Sequence, residues 1–128
     1  METTSRTYGN FASLRPYKIW PGVLARAVRG DRLSFALVEL EPNVVVAEHS
    51  HPNEQAGFIV QGTFTFTIGE ETRDLEPGDT YVIPGGVPHS AVAGPEGTVA
   101  VDIFSPPREE WEALERADPS RPSWPELI

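Results

Sequence analysis

The chain has 128 residues, ten basic against nineteen acidic, for a formal net charge of −9. A field of that sign repels nucleic-acid phosphates and anionic lipid, so neither is expected as a partner. Hydrophobic residues at 39% and charged residues at 23% fit one soluble globular domain rather than a disordered chain, and the lack of cysteine excludes disulfides and thiolate chemistry.

The N-terminal stretch METTSRTYGNFASLRPYK has no apolar leader core, and no run nears the ~18 apolar residues of a membrane span. The expected location is therefore the cytoplasm. The first seven residues are polar and expected to fray. Residues 22–29 and 32–40 are rich in strand formers, and Gly30-Asp31 between them suits a hairpin turn. Glu41-Pro42-Asn43 then turns the chain into an apolar strand over residues 44–49.

Strands are next predicted over 56–60 and 63–68; in the second, Phe64, Phe66 and Ile68 alternate with threonines, the mark of a half-buried strand. Gly69-Glu70 closes a hairpin, and Glu76-Pro77-Gly78-Asp79 is a turn. A short strand over 81–83 ends at Pro84-Gly85-Gly86, and strands over 89–93 and 98–104 follow. From Pro107 the pattern changes to a short amphipathic helix carrying Glu109, Glu110, Trp111, Leu114 and Glu115. The Pro-rich end, DPSRPSWPELI, reads as an extended strap. So many short strands at this spacing predict an all-β chain, a small antiparallel barrel or sandwich.

The chain has only three histidines. His49 and His51 stand two apart at the end of an apolar strand, so their side chains share a face. His89 begins another strand, and two strands meeting across a barrel could bring all three imidazoles onto one ion. Imidazole nitrogen suits zinc, nickel, iron or copper, and a site with positions left open is a catalytic one. An isolated His-x-His is usually an ordinary surface or core pair.

Here the spacing of the whole segment resembles the cupin family. His49-Ser50-His51, three residues, Gln55, six residues and Gly62 match its first motif; Gly78, five residues, Pro84-Gly85-Gly86, two residues and His89 match its second. Fifteen residues separate Gly62 from Gly78, as in compact single-domain cupins. Asn43 stands where the first motif usually begins with glycine, and asparagine tolerates the same left-handed backbone. Ala93 replaces the asparagine that often ends the second motif, and Gln55 stands in the register of the usual glutamate ligand. Glu54 is one residue out and would face the other way on a strand, unless a loop brings it in. The resemblance implies a cupin double-stranded β-helix over residues 1–128, with the barrel core at about 20–105 and a C-terminal extension at 106–128.

A closer likeness runs over roughly residues 20–112: H-S-H-P-x-E-Q, F-I-V-Q-G-T-F-T-F-T-I-G, L-E-P-G-D-T-Y-V-I-P and V-D-I-F-S-P-P-R-E resemble the pectin-degradation (KdgF-type) cupins. In that family the metal site assists conversion of unsaturated monouronates, released by pectin and alginate lyases, to linear keto forms. The resemblance implies His49, His51, Gln55 and His89 on one divalent transition metal, either zinc, nickel, iron or manganese. It implies Asp102, Phe104 and Arg108 in the pocket of a carboxylate-bearing small-molecule substrate, with Asp102 and Arg108 expected to be catalytic and Phe104 and Arg108 to bind substrate. Tyr81, expected to point into the barrel, is added to the substrate-binding set. It also implies a homodimer, for which exposed edge strands are a physical motive. Asn53 stands where many relatives carry a further histidine, which bears on fine specificity.

Read from the residues themselves, Asp102 lies amid Ala100, Val101, Ile103 and Phe104, where an unpaired buried carboxylate is costly. Facing the cavity it could serve as general acid or base; facing solvent it has no role. Arg108, after Pro106-Pro107, could grip a carboxylate or pair with Glu109 or Glu112. A neutral amide at position 55 leaves the ion its full charge, a stronger Lewis acid suited to isomerase or lyase-like chemistry. The alternatives are an oxygen-dependent cupin using iron or copper, recognised by anaerobic loss of turnover, and a binding module without turnover.

Overall fold

The computed structural model describes residues 7–125. The expected fraying of the first seven residues thus falls, all but Thr7, outside the described residues. Eight strands form one antiparallel sheet: β1 (Tyr17–Trp20), β2 (Val23–Arg29), β3 (Ser34–Leu40), β4 (Val45–His49), β5 (Glu54–Ile68), β6 (Glu71–Leu75), β7 (Thr80–Ile83) and β8 (His89–Ser105). The hydrogen-bonded order is β1-β2-β3-β8-β5-β6, with β4 joined to β8 and β7 to β5. This is the all-β antiparallel architecture that the sequence predicts. Among the described residues no helix is long and apolar enough to cross a membrane.

Two long strands organise the fold. The first half of β8 pairs with β4 and with the far end of β5, and its second half pairs with β3 and with the near end of β5. The separate strands expected over 56–60 and 63–68, and over 89–93 and 98–104, are therefore continuous: β5 runs 15 residues and β8 runs 17. The register slips between Ile59 and Gln61 and again between Gly62 and Phe64. Gly62, at φ 77, bends β5 there instead of ending it. A Cβ at this position would lie 2.1 Å from the Gly97 carbonyl oxygen.

Alternation then sorts the side chains. Val23, Ala25, Ala36, Val38, Leu40, Ile59, Phe64, Phe66, Ala91, Ala93 and Ala100 line the interior. The alanines leave width for aromatic rings; Phe66 meets Phe64 at 5.0 Å and Tyr81 at 4.9 Å, both edge to face. Asn43 adopts φ 62, the left-handed conformation expected of it. β1 has no sequence counterpart above, because four residues are too few to show a period.

The helix expected from Pro107 is only a 3-10 stretch, Glu109–Ala113, that buries Trp111. Its hydrogen bonding stops at Leu114, which is already extended, and the chain then pairs with the start of β1. The tail does run as an extended strap, on the outside of the barrel. Lys18 N donates to Glu115 O, and Ala117 N donates to Pro16 O. Farther on, Ser120 and Ser123 reach Arg26 of β2 and Glu39 of β3.

Candidate metal and substrate site

His49 ends β4, and His89 begins β8 directly opposite it in the strand register. His51 follows in the loop, whose carbonyl accepts from Gly86 N at 2.8 Å, so the histidine loop and the Pro-Gly-Gly turn hold each other. One ring nitrogen from each histidine lies within 4.8 Å of the others, a grouping able to hold a metal ion. Each Nδ1 faces a backbone carbonyl two residues away: His49 to Ala47 at 2.8 Å, His51 to Asn53 at 3.1 Å and His89 to Val87 at 2.9 Å. Those carbonyls keep the proton on Nδ1 and leave Nε2 as a lone pair turned inward.

Two contacts test whether a cation fits. His89 Nε2 is buried with no hydrogen-bond partner, a state that costs about 1–3 kcal/mol if nothing meets it. His51 Nε2 stands 3.1 Å from Gln55 Oε1. With the His51 proton on Nδ1, these are two lone pairs facing one another, an arrangement that a cation between them relieves. Burial pushes the His89 imidazole down to about 4, and the adjacent His49 and His51 push the same way. His51 is lowered by burial and by the charge of Arg108. Neutral imidazoles near pH 7 are the form that binds metal.

Gln55 is buried and faces the histidines, whereas Glu54 is exposed on the opposite side of β5, beside Ser105. Gln55 Nε2 donates to Asp102 Oδ1 at 3.0 Å, and Tyr81 OH donates to the same oxygen at 2.6 Å. Asp102 therefore faces the interior. In the sheet, Gly57 is flanked by Asp102 on one side and Tyr81 on the other. A Cβ at Gly57 would lie 2.5 Å from Asp102 Oδ1 and 2.7 Å from the Tyr81 hydroxyl. Gly57 is thus part of the site, and nothing in the local sequence marks it. Burial raises the Asp102 carboxyl, although the bonds from Tyr81 and Gln55 and the charge of Arg108 pull it down. Burial and the adjacent Asp102 push the Tyr81 phenol well above its ordinary range.

Arg108 lies between two rings, its guanidinium carbon 4.8 Å from the Phe104 centroid and 4.7 Å from that of Trp111. Its ion-pair partner is Glu110, at 3.1 Å, and neither Glu109 nor Glu112, which both pair with Arg29. The reason is the 3-10 geometry, which turns Glu109 and Glu112 toward β2. Phe104 is buried, its ring edge to face with that of His51 at 5.9 Å. Asn53, also buried, donates from Nδ2 to the carbonyls of Pro106 and Pro107 and ties the histidine loop to the segment carrying Arg108.

His49, His89, Gln55, Tyr81, Asp102, Phe104 and Arg108 share the lining of one cavity of about 100 Å³. Trp20 and Trp111 complete its wall, and the Trp20 ring lies 5.4 Å from that of His49. Sequence reasoning misses both tryptophans as site residues, since no motif marks Trp20 and Trp111 is expected on a helix face. A larger groove of about 740 Å³, between Trp20, Gly22, Glu39 and Ser123, has no histidine in its lining.

The Cupin domain family matches residues 36–104. The pectin degradation protein KdgF of Dickeya dadantii (strain 3937) is 30% identical over 82 residues, covering 63% of this chain and 74% of that protein. A solved structure of KdgF from Halomonas sp. superposes with a TM-score of 0.69 at 32% identity, over 74% of this chain and 88% of that one. The H2HPP isomerase of Bacillus subtilis is 33% identical over 79 residues, 60% of this chain but only 33% of that protein.

Proposed function

The chain belongs to the cupin family, among its small KdgF-like members, and from that footing we propose that it is a metal-dependent enzyme converting unsaturated uronates to their linear keto forms. The observation that carries this reading is the grouping of three imidazoles beside one cavity that a buried carboxyl and a stacked guanidinium also line. His49, His51, His89 and Gln55 would hold the ion, and a bound divalent cation would supply Lewis acidity toward a ring or carbonyl oxygen.

The remaining steps fall to the side chains. Arg108 grips the substrate carboxylate, its plane already held by Phe104 and Trp111. Asp102 takes a proton from a sugar hydroxyl as the ring opens and returns one to the carbon that was part of the double bond. Burial raises its proton affinity above that of a free carboxylate, which favours its accepting and then returning a proton. Trp20 and Trp111 give the cavity an apolar wall beside these groups.

The test is to mix the metal-loaded protein with an unsaturated monouronate and follow loss of its conjugated ultraviolet absorbance. A rate no better than the spontaneous one would overturn the assignment, and turnover that stops without oxygen would point to oxidative chemistry instead. Arg108→Ala should lower kcat/KM roughly 10–100-fold, since hydrogen bonds to charged groups are worth about 1.5–3 kcal/mol. Arg108→Lys should recover only part of that loss.

The same proposal includes a dimer. Val28, Phe35, Ile103, Ala56 and Val82 form one in-register row across the outer face of five strands. Val82 is 61% exposed and Ile103 39%. The motive for association is thus an apolar sheet face more than a free edge. Sedimentation should give two chains per particle for the native protein and one for Val82→Glu; a native monomer would refute it.

A further inference from the structure

A primary amide can present either of two unlike ends to a cation. Its oxygen carries lone pairs, while its nitrogen carries two N–H groups that would point positive charge at the ion. Gln55 therefore has an orientation problem that a carboxylate at the same position would not have. In the structure its Oε1 faces His51, and its Nε2 donates to Asp102 Oδ1 at 3.0 Å.

We infer that Asp102, braced by Tyr81 across the open backbone of Gly57, decides which end of Gln55 faces the three imidazoles. A carboxylate oxygen that already accepts the Tyr81 hydroxyl can only accept again, so it draws the amide nitrogen and turns the oxygen toward the ring nitrogens. The bond from Tyr81 keeps Asp102 from swinging away, and a side chain at Gly57 would occupy the space where the two meet. Asp102 is then a positioning residue for the metal site in addition to its proton-transfer role. This inference rests on the metal reading above.

The test is a double-mutant cycle read by cobalt(II) affinity, measured on metal-stripped protein against a competing chromophoric chelator. Valine at 102 suits a strand and offers no acceptor. Asp102→Val should weaken cobalt binding roughly 10–100-fold, the range for groups that orient metal ligands. In a Gln55→Glu background the same change should cost nothing or strengthen binding, because a carboxylate presents oxygen at both ends and two adjoining carboxylates no longer repel. An equal loss in both backgrounds would mean that Asp102 acts through its charge or through folding, and would overturn the inference. So would no loss in the native background. A native protein that takes up no cobalt would instead overturn the metal reading itself. Should Asp102→Val not fold, Tyr81→Phe runs the same cycle, with a loss of roughly threefold expected for one hydrogen bond, again abolished by Gln55→Glu.

Discussion

Replacing His89 by alanine should leave a folded protein that neither holds metal nor turns over substrate faster than the spontaneous reaction. His89 is buried against the other two imidazoles, with ring centroids at 4.3 Å from His49 and 4.9 Å from His51. Without it only two imidazoles and an amide remain, one ligand short of the three-histidine set that holds a catalytic ion. Metal affinity should fall by more than the roughly 10–100-fold that outer groups are worth.

The metal-free fold should be less affected. The substitution removes packed ring atoms, but it also removes an Nε2 that has no partner. Those two effects oppose each other, so the metal-free variant and metal-free native protein should unfold at similar temperatures. Added metal should then raise the unfolding temperature of the native protein alone, because ligand binding to the folded state stabilises by mass action. Equal stabilisation of both proteins by metal would place the ion elsewhere.

Arg26→Ala should be the most destabilising single change outside the core, at about 3–5 kcal/mol, the usual consequence of stripping one partner from a buried ion pair. The Arg26 side chain is only 2% exposed and points outward from β2, away from Val23 and Ala25. Its Nε donates to Glu39 Oε1, its Nη1 to the carbonyls of Phe11 and Ser120, and its Nη2 to Ser120 Oγ at 3.0 Å. Glu39 Oε2 in turn accepts from both Ser123 N and Ser123 Oγ at 2.8 Å. One guanidinium thus fastens an N-terminal turn and the C-terminal strap to the same sheet face.

The expected signature is a lowered urea midpoint together with rapid proteolysis within residues 114–125. A strap as resistant as that of the native protein would refute the assignment. Lysine should not substitute, because a point charge cannot reach acceptors on three sides. Burial alone would raise the Glu39 carboxyl, but the bonds from Arg26 and Ser123 outweigh it and leave the group lowered. A depressed carboxylate contributes stability that is full above its unfolded value of 4.5 and is lost as pH falls through the folded value. The strap should accordingly loosen in acid before the barrel does.

Much of the site is legible in the chain itself. The spacing of His49 and His51 puts them on one face, and Asp102 stands out because a carboxylate amid apolar strand residues needs a partner. Its partners are not legible. Gln55, Gly57 and Tyr81 meet Asp102 through pairings that span 21 to 47 residues of chain, and no local period encodes such a register. The same holds for Arg108, whose ion pair with Glu110 depends on a 3-10 turn where helical periodicity is expected.

The boundary between the two kinds of information follows from physical range. Composition, alternation and the histidine motifs are local, and by themselves they determined an all-β cupin chain with three imidazoles available to one ion. Only the tertiary structure decided that Gln55 and not Glu54 faces them, that β5 bends at Gly62 without ending and β8 runs on as one strand, and that Trp20 and Trp111 wall the cavity. Each of those outcomes depends on which strand lies beside which. Strand register is set by the packing of the whole barrel, where a slip of one residue would turn every side chain to the other face.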